Sequence, residues 1–311
     1  MSFHHIPVLL EEAVGALNIR PDGIYLDGTA GGGGHSLQIA RRLTTGRLVS
    51  VDKDPQAVEA ASHRLRDYPQ AQVVQGDFAD LRDILSGLNI RRVDGILLDL
   101  GISSHQVDTA ERGFSYHLDA PLDMRMSSSG KTAADLLAQL NAAELTDIFR
   151  RYGEEKFALR IAKNIERIRA EEPILTTAHL SEIVRASIPA PARREGGHPA
   201  KRVFQALRIA VNGELDSLAA ALNTAFEKLN IGGRLAIITF HSLEDRMVKQ
   251  AFAGFCKGCV CPPDFPVCVC GKAPRGRLVG RKPQTASPTE LAQNPRSKSA
   301  KLRTIEKLQD E

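Results

Sequence analysis

The chain has 311 residues, 42% hydrophobic and 25% charged, with 11 Phe, 4 Tyr and no Trp. This ordinary globular profile excludes collagen-like, wholly disordered and disulfide-scaffold classes, and the length suggests about two domains. The net charge of +4 is unevenly held: residues 150–208 carry 13 Lys and Arg against 7 Asp and Glu, residues 271–311 carry 10 against 4, and the remainder 18 against 26.

An acidic body with two basic segments suits a protein that grips a polyanion away from its chemical centre, although uneven solvated faces would look the same. No apolar run approaches the roughly 18 residues of a membrane span. The N-terminal residues lack the basic region and long apolar stretch of a signal peptide, so a cytoplasmic location is the default expectation.

Short apolar runs alternate with helical patterns from the start. Residues 24–27 read as a strand, 35–43 as a helix, 47–51 as a second strand, and 56–67 as a helix with Pro55 at its first turn. Residues 72–75 form a third expected strand and 93–99 (VDGILLD) a fourth, apolar enough to be buried on both faces. Strands alternating with helices imply a parallel sheet with right-handed crossovers. Residues 132–218 then show helical periodicity broken by prolines, with no convincing strand, before RLAIITF at 234–240 resumes the pattern after Gly232-Gly233. Past Phe265, Pro, Gly, Ser and basic residues predict loop or partial disorder. The expected organisation is an α/β, Rossmann-like sheet domain (1–108 and 209–270), an inserted helical domain (109–208) that meets substrate, and a basic tail (271–311).

Asp27-Gly28-Thr29-Ala30-Gly31-Gly32-Gly33-Gly34-His35 lies between the first strand and first helix. Glycines there let backbone approach a ligand closely. Asp52 ends the second strand, 21 residues after Gly31, where an acid accepts hydrogen bonds from both hydroxyls of a ribose. Asp77 and Phe78 follow the third strand, where an acid and a ring can pair with and stack on an adenine. Each residue alone also has a structural reading, as turn, solvated loop or core; together they point to an adenosine-containing ligand. The loop lacks the third glycine of a dinucleotide fingerprint, because position 36 is Ser. Asp27 at the loop's mouth suits a cationic ligand, which favours S-adenosylmethionine over NAD. Asp99 ends the fourth strand beside the topological switch point and is expected to face the pocket, a turn cap being the structural alternative.

Over nearly its whole length the chain resembles the cytosine-N4 methyltransferase family of small-subunit ribosomal RNA (the MraW type). The resemblance rests on HIPVLLEE at 5–12, DGTAGGGGHS at 27–36, ILLDLGISS at 96–104, ERGFS at 111–115, PLDMRM at 121–126, YGEE at 152–155, FQALR at 204–208, FHSLEDR at 240–246 and NPRSKSAKLR at 294–303. It implies transfer of a methyl group from S-adenosyl-L-methionine to the exocyclic amine of a cytidine in the decoding region. Carried over by position, it implies cofactor contacts at Gly33, Gly34, His35, Asp52, Phe78, Asp99 and Gln106. Asp27, Gly31 and Asp77 complete the candidate cofactor set. Small-subunit rRNA, free or within the subunit, is the implied partner; a homodimer is allowed and no membrane contact is expected.

Methylation of an amine needs no covalent intermediate, and no Cys lies beside the fourth strand as ring-carbon methylation would require. Asp99 and Ser103 are candidates to accept hydrogen bonds from the amine, with His241 after the fifth strand as a third. Amine-specific DNA methyltransferases place Ser/Asp/Asn-Pro-Pro-aromatic here, whereas this chain has Asp-Leu-Gly-Ile-Ser-Ser. Ser242 with Asp245 also fits a capping box. The alternative function is S-adenosylmethionine-dependent methylation of another amine, in DNA or protein; an RNA-binding protein without catalysis is a third class. Cationic residues of the insertion, among them Arg150, Arg160, Lys163, Lys201 and Arg202, and of the tail (Arg275 to Arg303) are the expected phosphate contacts.

All five cysteines, Cys256, Cys259, Cys261, Cys268 and Cys270, fall in one stretch. No metal site is assigned to them: zinc, incidental reduced thiols and a redox pair all remain open.

Overall fold

The computed structural model describes residues 7–127, 129–194, 197–259, 261–262, 265–267 and 269–310. Its strands are β1 (Ile24–Asp27), β2 (Arg47–Asp52), β3 (Ala71–Gln75), β4 (Val93–Asp99), β5 (Leu229–Thr239), β6 (Gly276–Leu278) and β7 (Lys301–Lys307). Its helices are α1 (Leu10–Ala16), α2 (Gly34–Ala40), α3 (Pro55–Leu65), α4 (Leu81–Gly87), α5 (Ser104–Asp108), α6 (Ala133–Gln139), α7 (Ala142–Gly153), α8 (Ala158–Arg169), α9 (Thr177–Ser187), α10 (Lys201–Asn212), α11 (Glu214–Lys228), α12 (Ser242–Cys256) and α13 (Pro288–Gln293). The chain divides into two compact units, one running to Gly101 and resuming at Leu215, the other spanning Ile102–Glu214.

The first unit is a seven-stranded sheet in the order β3-β2-β1-β4-β5-β7-β6. β1 to β5 are parallel, and β7 runs antiparallel to both β5 and β6. The chain order reverses between β1 and β4, so the carboxyl ends of these neighbours open onto one crevice, where ligands of such sheets bind. Apolar side chains pack on both faces: Leu26, Val49, Ile96, Leu98 and Ile237 join one core, and Tyr25, Leu48, Leu97, Ala236 and Ile238 the other. β4 contributes to both, as its uniformly apolar sequence requires.

Two sequence expectations need correction here. β5 begins at Leu229, so Gly232-Gly233 lies within the strand, with a register shift opposite Val93 and Gly95, rather than before it. The stretch past Phe265 is not a loose tail: β6 and β7 close the sheet's edge. Along β7, Leu302, Thr304 and Ile305 are buried, while the intervening charges find partners. Arg303 and Lys301 meet Asp245 at 2.7 and 3.2 Å, Arg234 and Arg277 meet Glu306, and buried Lys307 donates to the carbonyls of Glu227 and Leu229.

The second unit is helical, with its own core of Phe114, Met124, Leu145, Phe149, Ile161, Ile165, Leu180, Val184, Val203, Phe204 and Leu207. It is wider at both ends than the 109–208 expected. At one end α5 belongs to it, started by a reciprocal cap in which Ser103 Oγ accepts from Gln106 N–H while Gln106 Oε1 accepts from Ser103 N–H. At the other, Arg208 clamps Glu214 through two bonds of 2.8 and 2.9 Å. Among the described residues no helix is long and apolar enough to cross a membrane.

Candidate active site

The carboxyl ends of β1, β2 and β4 gather buried polar groups that bond mainly to one another and to backbone. Asp27 is fully buried; it accepts from Ser36 Oγ at 2.6 Å and from the Thr29 N–H at 3.2 Å, and Ser50 Oγ donates to Ser36 Oγ at 2.8 Å. Burial pushes its carboxyl pKa up against these bonds. The Thr29 hydroxyl accepts from the Asp99 N–H at 2.6 Å, which ties the glycine-rich turn to the end of β4.

Asp52 accepts from the Gly31 N–H at 2.8 Å and the Asp54 N–H at 2.9 Å, so it sets the turn's height over β2. Burial raises its pKa to about 6 despite both bonds. Around Gly31 (φ 50°) there is open space where a Cβ would stand. Gly33 holds a left-handed φ of 75° as the residue before α2, a conformation that side chains resist. Gly34 has another reason to lack a side chain: the Pro7 ring occupies the place of a Cβ.

His35 is buried, its Nε2 is 3.1 Å from the Val8 carbonyl, and burial lowers its pKa to about 4. The neutral ring therefore donates from Nε2 to that carbonyl, and its Nδ1 lone pair lies 3.7 Å from Asp99 Oδ2. Asp77 caps the turn that begins at Phe78, accepting from the Ala79 N–H at 2.9 Å, and also accepts from Ser217 Oγ at 3.2 Å. Phe78 is half-buried and packs against the sheet core.

Asp99 differs from its neighbours. Its Oδ1 is buried and, among the described residues, has no hydrogen-bond partner. Its pKa is pushed well up, first by burial and then by the nearby carboxylates of Asp27 and Glu244. The turn-cap alternative for Asp99 does not hold, because a cap would be bonded to backbone N–H groups.

After β5, His241 and Glu244 form the capping box of α12: Glu244 Oε2 accepts from the His241 and Phe240 N–H groups, and the Glu244 N–H donates to His241 Nδ1 at 3.4 Å. His241 Nε2 stands 3.1 Å from Glu244 Oε1, out of line for a hydrogen bond. The box expected from Ser242 and Asp245 thus lies one residue earlier, and Asp245 instead anchors β7. Of the expected site residues, Asp27, Gly31, Gly33, Gly34, His35, Asp52, Asp77, Phe78, Asp99 and His241 belong to the sheet unit. Ser103 and Gln106 belong to the helical unit, where they cap each other. Thr29, Ser36, Ser50 and Glu244 are additions that the sequence alone does not single out. Only Ser36 carries a signal, as the residue that replaces the third glycine of a dinucleotide loop.

A sheet in this order, parallel from β1 to β5 with an antiparallel β7, and acids gathered at the β1–β4 switch point are those of a Rossmann-like, S-adenosylmethionine-dependent methyltransferase. Three buried carboxylates that repel one another, one with an orphaned oxygen, suit a cationic ligand rather than a pyrophosphate. The chain belongs to the MraW methylase family, whose model matches residues 2–308. It is similar to proteins named ribosomal RNA small subunit methyltransferase H. That of Symbiobacterium thermophilum is 54% identical over 99% of this chain and 98% of its own, and that of Heliobacterium modesticaldum is 52% identical over 99% and 100%.

Proposed function

We propose that this chain methylates the N4 amine of a cytidine in the decoding region of small-subunit ribosomal RNA. The observation that carries the reading is Asp99, a half-buried acid whose buried Oδ1 is an unused acceptor at the end of β4. The rRNA substrate is the one named for the chain's relatives at 54% and 52% identity. Because that work is done on ribosomal RNA, we place the protein in the cytoplasm; it acts as a monomer or a homodimer.

The cofactor would be held by Asp52 at its ribose hydroxyls, by Asp77 and Phe78 at its adenine, and by the turn around Gly31 to His35. When bound it supplies an electrophilic methyl group. Asp27 would set the turn's shape and add negative potential behind the cationic donor rather than touch it, since its side chain is fully buried.

The cytosine amine is a poor nucleophile because its lone pair is delocalised into the ring. Asp99 Oδ1 would accept an N–H of that amine, draw it toward a tetrahedral shape and orient it. The anionic form of Asp99 is the one required, and a cationic neighbour restores it against the repulsion of Asp27 and Glu244. Ser103 retains a hydroxyl proton to donate after accepting from Gln106.

The test is incubation with labelled S-adenosylmethionine and unmodified small subunits or naked rRNA, followed by nucleoside analysis. N4-methylcytidine is the expected product. 5-Methylcytidine, or methyl transfer to DNA or protein instead, would overturn the assignment.

A further inference from the structure

The segment between α12 and β6 is fastened at its ends, where the Arg275 N–H donates to the Phe255 carbonyl at 3.0 Å. Between those points most described residues are exposed, including Phe265, Val267 at 69% and Val269 at 72%, while Cys261 and Cys270 are half-buried. Such a stretch buries too little apolar surface to offset the conformational entropy of holding one shape. Yet three of its cysteines converge: the Sγ atoms of Cys259, Cys261 and Cys270 all lie within 4.8 Å of one another.

We infer that Cys259, Cys261 and Cys270 bind a zinc ion that secures this excursion. The Cys259 and Cys270 sulfurs are 3.8 Å apart. Two thiolates at about 2.3 Å from one tetrahedral zinc are separated by about 3.8 Å, whereas disulfide sulfurs sit at about 2.05 Å. Backbone amides also serve the sulfurs: the Cys261 N–H points to Cys259 Sγ and the Val269 N–H to Cys261 Sγ, each at 3.4 Å. Three thiolates leave one tetrahedral position to a further donor. Cys256 stands apart on α12, half-buried against the sheet core, where burial favours its protonated form.

Each thiol that ligates zinc releases its proton to solvent, so binding weakens in acid. The ion is structural, since its ligands fasten an exposed excursion and none of them belongs to the crevice at the ends of β1 and β4. In the folded protein it joins the two halves of the excursion, Cys259 and Cys261 on the outward limb and Cys270 on the return.

Elemental analysis of the full chain, purified from zinc-supplemented cells without chelator, should find about one zinc per chain. Cobalt substituted for zinc should give the intense visible bands of tetrahedral thiolate coordination. Cys259→Ser and Cys270→Ser should lower metal content to background, and Cys256→Ser should keep it. Chelation should speed protease cleavage within 257–274 at least tenfold while the sheet and helical units stay intact. Background metal in the unaltered chain would overturn the assignment. So would a Cys259–Cys270 disulfide in that preparation, or equal metal loss in Cys256→Ser.

Discussion

The sheet unit and the helical unit hold their charges in opposite ways. At the carboxyl ends of β1 and β2 and just after β5, acids are buried or half-buried and tied to neighbouring amides and hydroxyls: Asp27, Asp52 and Glu244 each accept at least two hydrogen bonds. In the helical unit, Arg150, Arg160, Lys163 and Lys201 stand on exposed positions of α7, α8 and α10. Where such cations do pair, as Arg151 with Asp147 or Arg167 with Glu171, the bridges span a single turn of the helix surface. Those are worth at most about 1 kcal/mol and yield readily to a competing phosphate. Buried acids define a small cationic ligand at fixed distances, whereas exposed cations define a long anionic one by average potential. Net charge alone, +4, conceals both.

The sharpest break in this comparison is made at Asp99. Asp99→Ala should lower methyl transfer by about 10³-fold, with cofactor affinity changed far less, because an acceptor used at the reacting amine is removed. Asp99→Asn should melt no lower than the parent protein, since it removes a carboxylate crowded by Asp27 and Glu244. Activity within threefold of the parent in the Ala variant would remove Asp99 from the chemistry.

On the helical side, replacing Arg150, Arg160, Lys163 and Lys201 together by Glu should weaken rRNA binding about 100-fold at low salt. The slope of log affinity against log salt should also fall by about 3, near 0.7 for each phosphate that is no longer neutralised. Cofactor affinity should not move. An unchanged slope would mean that the exposed cations are merely solvated.

The two units are also unequally legible in the sequence. β1 to β4 and the glycine-rich turn announce themselves through period and position, because burial on both faces forces apolar runs and the turn forces glycine. β7 does not. KLRTIEK reads as a polar tail until Asp245 and Glu306 are known to face the cations of this edge, and the pairs Lys301–Asp245 and Arg234–Glu306 join residues 56 and 72 apart along the chain. The His241–Glu244 box is hidden for a related reason: His is an uncommon first cap, so the Ser one residue later looks better. Asp99 stands out by its place at a strand end. That its Oδ1 lacks a partner while both oxygens of Asp27 and of Asp52 accept hydrogen bonds depends on three-dimensional accounting that no spacing reveals.

A smaller effect separates ligand binding from folding at Asp52. The ribose contact proposed for it needs the carboxylate form, so cofactor affinity should fall as pH drops through about 6. Asp52→Asn should bind cofactor about tenfold more weakly at pH 7.5, as expected when a charged hydrogen bond of ~1.4 kcal/mol is removed. Its affinity should then be nearly flat between pH 7 and 5, as followed by calorimetry. A variant that keeps the parent's pH profile would assign that titration to another group.

The smallest expected effect sets a buried base against the buried acids. Asp52 has a folded pKa of about 6 against an ordinary value of 3.8, so the folded state binds the extra proton between them, and this group adds stability as pH falls through 6. Asp27 and Asp99 are shifted in the same direction. His35 works the other way: its folded pKa is about 4 against 6.5, so the unfolded chain takes up the proton first and stability drains away as pH falls from 6.5 to 4. In the parent protein these slopes oppose each other and mild acid should change stability little. His35→Gln keeps a donor for the Val8 carbonyl and removes the titration. It should cost about 1 kcal/mol at pH 7.5 through imperfect packing, and that deficit should shrink or reverse by pH 5 in urea melts. Parallel stability curves for the two proteins would mean that His35 titrates normally, and with it would go the inference that a neutral ring faces Asp99.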